Sequence, residues 1–333
     1  MNIRGTTSGS NPTIAYCIIM MGQSNADGGA VSARMGSEGN NYAYKGILTG
    51  YPNARVAQDN YSRTPSGVFI YNKQRTDDNL WGVDDGFWEA YEATDTGNAH
   101  NKGVQNADPR IGCEGALAEA IVDYTGAEVF IIKPSWGATA LYSGDTGASF
   151  PGPWNYQARQ LATDAYIARA VRDFHIYRQN VKLRLVSIGW WQGERDASNG
   201  RSQAQYTADF ADFYAYMDKS IKGNFLIESD KLPLWQLVKL KFNETAAETT
   251  INAAHQAFVA ANPTFARYID IDQGGRDFPR LTDMTVAEAS PITKAIPNSL
   301  GIDDDNHASV PMLFGVSEMM FNNVQSAGLL IAA

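Results

Sequence analysis

The sequence predicts a three-layer α/β/α fold, doubly wound about a mainly parallel sheet of five strands. Two features carry that expectation. Short apolar runs, dense enough to be covered on both faces, recur along the chain, and stretches with apolar residues three and four apart lie between them. A chain of 333 residues, 44% hydrophobic, is also long enough to bury the core that such a sheet requires.

The polar opening "MNIRGTTSGSNPT", residues 1–13, reads as a flexible lead-in, and residues 14–333 as a single domain. The first apolar run, "IAYCIIMM" at 14–21, is too short to span a bilayer and precedes no small-residue cleavage pattern. It is therefore a strand. "AEVFIIKP" (127–134), "VKLRLVSIGW" (181–190), "LPLWQLVKL" (232–240) and "ARYIDI" (266–271) complete the five. Helical patterns fill the intervals. "CEGALAEAIVDYTG" ends at Gly126, a residue suited to a helix C-terminus, and a long amphipathic stretch begins near 155. "SQAQYTADFADFYAYMDKSI", "ETTINAAHQAFVAAN" and "SVPMLFGVSEMMFNNVQ" repeat the pattern. Residues 35–110 interrupt it, being rich in Gly, Asn, Asp, Tyr and Trp, with "GVFIYN" the one evident strand. An insertion of that length implies a binding role, an elaboration over the active face.

Composition excludes several classes. A net charge of −9 with no basic cluster does not suit binding along nucleic-acid phosphates. Cys17 and Cys113, the only cysteines, are too few for a disulfide framework or a four-ligand zinc site. No glycine-rich fingerprint calls for a nucleotide, so no cofactor is expected, and no membrane span is present. With 19% charged residues and abundant small polar ones, the balance favours an extracellular or virion-associated protein over a cytoplasmic one.

In an open parallel sheet, ligands bind beyond the carboxyl ends of the strands. Three motifs follow such ends: Gly22-Gln23-Ser24-Asn25, "KPSWGATALYS" at 133–143, and "GWWQGERDAS" at 189–198. Ser24 is either a helix N-cap or a nucleophile, and Gly137 a turn glycine or a backbone N–H donor. Trp190 and Trp191 suit core packing or a sugar platform. A nucleophilic serine needs a base within reach and a group to orient that base. Of the four histidines, His175 and His255 lie in helices and His100 in the insertion. His307 stands apart in "GIDDDNHAS", just before the last helix, and Asp304 precedes it by three residues. Asp303 and Asp305 compete for the orienting role, and the same cluster could instead ligate a metal.

Taken in order, Gly22-Gln23-Ser24-Asn25, "SWGAT" (135–139), "WWQGERDA" (190–197) and "DDNH" (304–307) resemble the SGNH hydrolase superfamily and its sialate O-acetylesterase-like branch. The likeness spans residue 14 to about 325 and includes the "GCEGALAEAI" helix. The resemblance implies an SGNH, flavodoxin-like sheet and a serine esterase that removes O-acetyl groups from a glycan, with no metal. Ser24 would be the nucleophile, His307 the base and Asp304 its orienting carboxylate. The oxyanion hole would combine the N–H groups of Ser24 and Gly137 with the side-chain amide of Gln192. Gln23, Asn25, Glu194 and Asp196 would give supporting hydrogen bonds. One departure stands at Gly137-Ala138, where the branch usually has two glycines. The competing expectation is a non-catalytic carbohydrate-binding or virion module on the same fold.

Overall fold

The computed structural model describes residues 13–23, 26, 30–31, 67–72, 87–90, 110–137, 139–145, 152–225, 227–228, 231–240, 245–271 and 310–333. Nine strands are described: β1 (Thr13–Gly22), β2 (Ala30–Val31), β3 (Val68–Asn72), β4 (Phe87–Ala90), β5 (Arg110–Ile111), β6 (Val129–Ile132), β7 (Val181–Trp191), β8 (Leu234–Val238) and β9 (Ala266–Ile269). The described helices are α1 (Glu114–Thr125), α2 (Gln157–Tyr177), α3 (Glu194–Ser198), α4 (Gln203–Asn224), α5 (Ala246–Ala261) and α6 (Val310–Ser326).

The main sheet has the order β4-β3-β6-β1-β7-β8-β9, parallel throughout except for the antiparallel β3–β4 edge. All five strands expected from apolar runs are present. The sheet is wider than expected because the insertion supplies two further strands, one of them the "GVFIYN" run. The strands β3 and β4 of that insertion lengthen a sheet edge, and most of the rest of it, on which the expected elaboration over the active face depends, lies outside the described residues. The four-residue "FWEA" of β4 is too short to display alternation, and a tertiary contact defines it. Trp88 stacks edge-on against Phe130 and donates its indole N–H to the Ala170 carbonyl at 3.0 Å. A small separate ladder pairs β2 with β5.

β1 is central because it is apolar on both faces, and its last eight residues are all buried. Helices α1 and α6 pack together, as do α2, α4 and α5. Local chemistry sets their ends. Gly126 takes the left-handed conformation at φ 64° and its N–H closes on the Val122 carbonyl, as the sequence predicts for a helix stop. Reciprocal capping boxes, Ser202 with Gln205 and Thr245 with Glu248, start α4 and α5. Trp190 and Trp191 have no exposed surface, so they belong to the core and form no sugar platform. Trp190 packs on Trp154 and Phe213, with ring centroids 5.1 and 4.4 Å away.

The chain leaves β6 on one side of β1 and continues into β7 on the other, so the switch point lies at the C-terminal ends of these three strands. There Gly22, at φ 140°, approaches the Trp191 carbonyl so closely that a Cβ would sit 2.0 Å from that oxygen. We expect Gly22→Ala to lower the urea midpoint, with m unchanged, by the equivalent of about 3 kcal/mol. A midpoint equal to wild type would show that the close approach is not needed.

Candidate functional site

Three of the four motif blocks converge at the switch point. Gly22 bridges to Ser135 on one side and pairs with Trp191 on the other. The Gly22 carbonyl accepts the Trp136 N–H at 2.9 Å, and the Gln23 N–H donates to the Trp191 carbonyl at 3.0 Å. The buried Gln23 side chain then accepts the Arg195 N–H at 3.3 Å through its carbonyl oxygen. The turn after β1 is therefore pinned from both neighbouring strands up to the residue before Ser24. Ser24, Asn25, Asp304 and His307 lie outside the described residues.

The loop after β6 is held from below by Asp196, which has no exposed surface. One carboxylate oxygen accepts the Leu141 N–H at 2.8 Å and also the Gln192 amide, while the other accepts the Tyr142 N–H at 3.1 Å. Burial raises the Asp196 carboxyl above its usual range, and these three donors act against that rise. Further ties secure the same loop. Asp145 pairs bidentately with Arg195 at 3.1 and 3.2 Å, and the Arg201 guanidinium lies 4.0 Å from the Tyr142 ring centre. The Trp154 indole donates to the Thr139 hydroxyl at 3.0 Å. Arg159, stacked 4.3 Å from the Trp136 ring, is lowered by burial to about 9.

Gln192 is also fully buried, and its amide is committed. Its nitrogen donates to the Thr139 carbonyl at 3.0 Å and to Asp196, and its oxygen accepts from the Tyr206 hydroxyl at 2.9 Å. With both amide hydrogens engaged, Gln192 serves the loop in this arrangement. Gly137 sits half-buried in the turn that follows Ser135 and Trp136. Glu194 opens the short helix α3 and Asp196 lies in its first turn, after Gly193 at φ 143°.

The sequence did not single out Tyr206 or Thr139, and it assigned His255 only to a helix. Tyr206 stands near the start of α4 on its buried face, and its hydroxyl lies 3.1 Å from His255 Nε2 on α5. The available signal was weak: both residues fall at apolar-face positions of amphipathic helices. His175 is exposed on α2 and lines a cavity of about 630 Å³ with Val171 and Phe225, at the start of β7 and thus at its opposite end from Trp191.

No protein-family model matches the chain, and no curated protein matches it. Solved structures do share its fold. NanS superposes with a TM-score of 0.55 at 14% identity, over 95% of this chain and 98% of its own. A protein from Arabidopsis thaliana gives 0.50 at 12% identity, over 94% and 97%. A carbohydrate acetylesterase from Xanthomonas citri aligns below the level of a shared fold, at 0.40 and 15% identity, over 77% of this chain and 48% of that one. The doubly wound fold expected from the SGNH resemblance is thus found in three dimensions. No helix among the described residues is long and apolar enough to cross a membrane.

Burial pushes His255 down to about 3, so it is neutral in the fold at pH 7. Above the unfolded value near 6.5, His255 is neutral in both states and its contribution to stability is complete. As pH falls from 6.5 toward 3, only the unfolded chain takes the proton, removing up to about 1.4 kcal/mol per pH unit. Urea unfolding at stepped pH should show His255→Gln with a shallower loss than wild type between pH 6.5 and 5, and parallel curves would contradict the buried neutral ring.

Proposed function

We propose that this chain is a serine esterase that removes O-acetyl groups from a carbohydrate, with residues 14–333 acting as one catalytic domain. The observation that carries the proposal is the convergence of the Gly22-Gln23, "SWGAT" and "WWQGERDA" blocks at one switch point. Their order matches the SGNH resemblance, and the fold shared with NanS supports it.

In this proposal, neutral His307 takes the Ser24 proton as the hydroxyl oxygen attacks the acetyl carbonyl, and Asp304 orients the ring. Charge develops on the carbonyl oxygen of the tetrahedral intermediate. The backbone N–H groups of Ser24 and Gly137 stabilise that charge, each donor being worth about 3 kcal/mol when removed singly. Gln192 and Asp196 act beneath them, fixing the loop that carries Gly137. The intermediate collapses as the C–O bond to the sugar breaks and His307 protonates the departing alkoxide. Water, deprotonated by His307, then attacks the acetyl-enzyme, releasing acetate and restoring Ser24. Activity consequently requires His307 unprotonated and falls in acid. The low content of charged residues supports action on a surface glycan outside the cytoplasm, by a secreted or virion-borne protein.

Wild type should hydrolyse p-nitrophenyl acetate and release acetate from an acetylated polysaccharide. Ser24→Ala should lower kcat by a factor of about 1,000 or more while leaving the unfolding midpoint within about 0.5 kcal/mol. Equal rates for the two proteins would refute the proposal.

A further inference from the structure

The buried polar chain behind the loop has a direction. Gln192 Nε2 faces two acceptors, the Thr139 carbonyl and the Asp196 carboxylate, so the amide NH2 must point that way. Its Oε1 therefore points at the Tyr206 hydroxyl, 2.9 Å away. An amide oxygen has no hydrogen to give, so the single hydroxyl hydrogen of Tyr206 goes to Gln192. The tyrosine oxygen keeps two lone pairs for donors, and the Trp190 indole N–H reaches one at 3.3 Å. His255 Nε2, at 3.1 Å, is left to fill the other and must carry a hydrogen.

We propose that Tyr206 and His255 are positioning residues for the hydrolysis assigned to Ser24. His255, as the Nε2–H tautomer, directs the Tyr206 hydroxyl onto Gln192, and so holds Asp196 and the Gly137-bearing loop in one arrangement. The catalytic part rests on the esterase reading, whereas the tautomer does not. In the opposite tautomer the hydrogen on Nδ1 would face the Val238 backbone, and Nε2 would take the Tyr206 hydrogen. The Tyr206 and Gln192 oxygens would then meet lone pair to lone pair inside the core, with Gln192 Oε1 unsatisfied. The Val238 backbone beside the ring makes no well-aligned hydrogen bond with Nδ1, so it holds the opposite tautomer less firmly than Tyr206 and Gln192 hold this one. With Nε2 protonated, every hydrogen in the relay from α5 through α4 and β7 to the loop is used once. It ends where the Leu141 and Tyr142 N–H groups meet Asp196.

The test is made on the whole chain. Histidine 15N shifts of the wild-type protein at pH 7 should show Nε2 of His255 protonated and Nδ1 bare. Tyr206→Phe and His255→Leu should each lower kcat on p-nitrophenyl acetate by about tenfold or more, with KM held within about twofold. His255→Gln, whose amide N–H can donate where Nε2–H did, should restore most of kcat. A hydrogen on Nδ1, or a His255→Leu kcat within about twofold of wild type, would overturn the inference. A wild type without turnover that depends on Ser24 would overturn its catalytic part and the esterase reading together. The tautomer, measured on that same protein, would still uphold or overturn the hydrogen-bond assignment.

Discussion

A carboxylate sealed from water at the working edge of a parallel sheet is the constraint on which the rest of this structure turns. Left alone, the Asp196 charge would be costly to bury, and the fold answers with three donors from two different segments. Two of them are consecutive backbone N–H groups of the loop after β6, and the third is a side chain at the end of β7. Satisfying the charge therefore joins two motif blocks that are more than fifty residues apart. The loop cannot shift without stranding a buried charge.

The third block is joined by backbone contact alone. β1 delivers Gly22 against the Trp191 carbonyl at a distance that no side chain allows, and the Gly22 carbonyl in turn takes the Trp136 N–H. Beneath the same edge, the Lys133 ammonium meets the Glu114 carboxylate at 2.7 Å, both side chains fully buried, tying the end of β6 to the start of α1. Trp136, Trp154, Trp190 and Phe213 form an aromatic wall alongside. A rim held by backbone contacts, buried charge and packed aromatic rings suits a reaction whose transition state is stabilised by preorganised donors.

Much of this was legible in the sequence, for identifiable reasons. Strands covered on both faces must be apolar throughout, so β1 and β6 to β9 stand out as runs, and the Gly126 helix stop follows from glycine's access to the left-handed region. The motif blocks were legible because chemistry at strand ends demands particular residues in a particular order. β4 was not, since four residues carry no period and its place is set by Trp88 meeting Phe130 across the fold. For Gln192 the resemblance implies an oxyanion donor, while the buried partners that engage its amide could not be read from the sequence. The Tyr206–His255 relay was hidden for the same reason. Its members lie 49 residues apart on two helices, and helical periodicity reports which face is buried without saying which polar atoms meet there.

The central claim, a nucleophilic serine at this rim, is tested most directly by a p-nitrophenyl phosphonate, which marks an activated serine covalently. The account predicts one phosphonate per chain, on the peptide containing Ser24, and loss of turnover in proportion to labelling. Labelling on a different residue, or none while turnover continues, would contradict it.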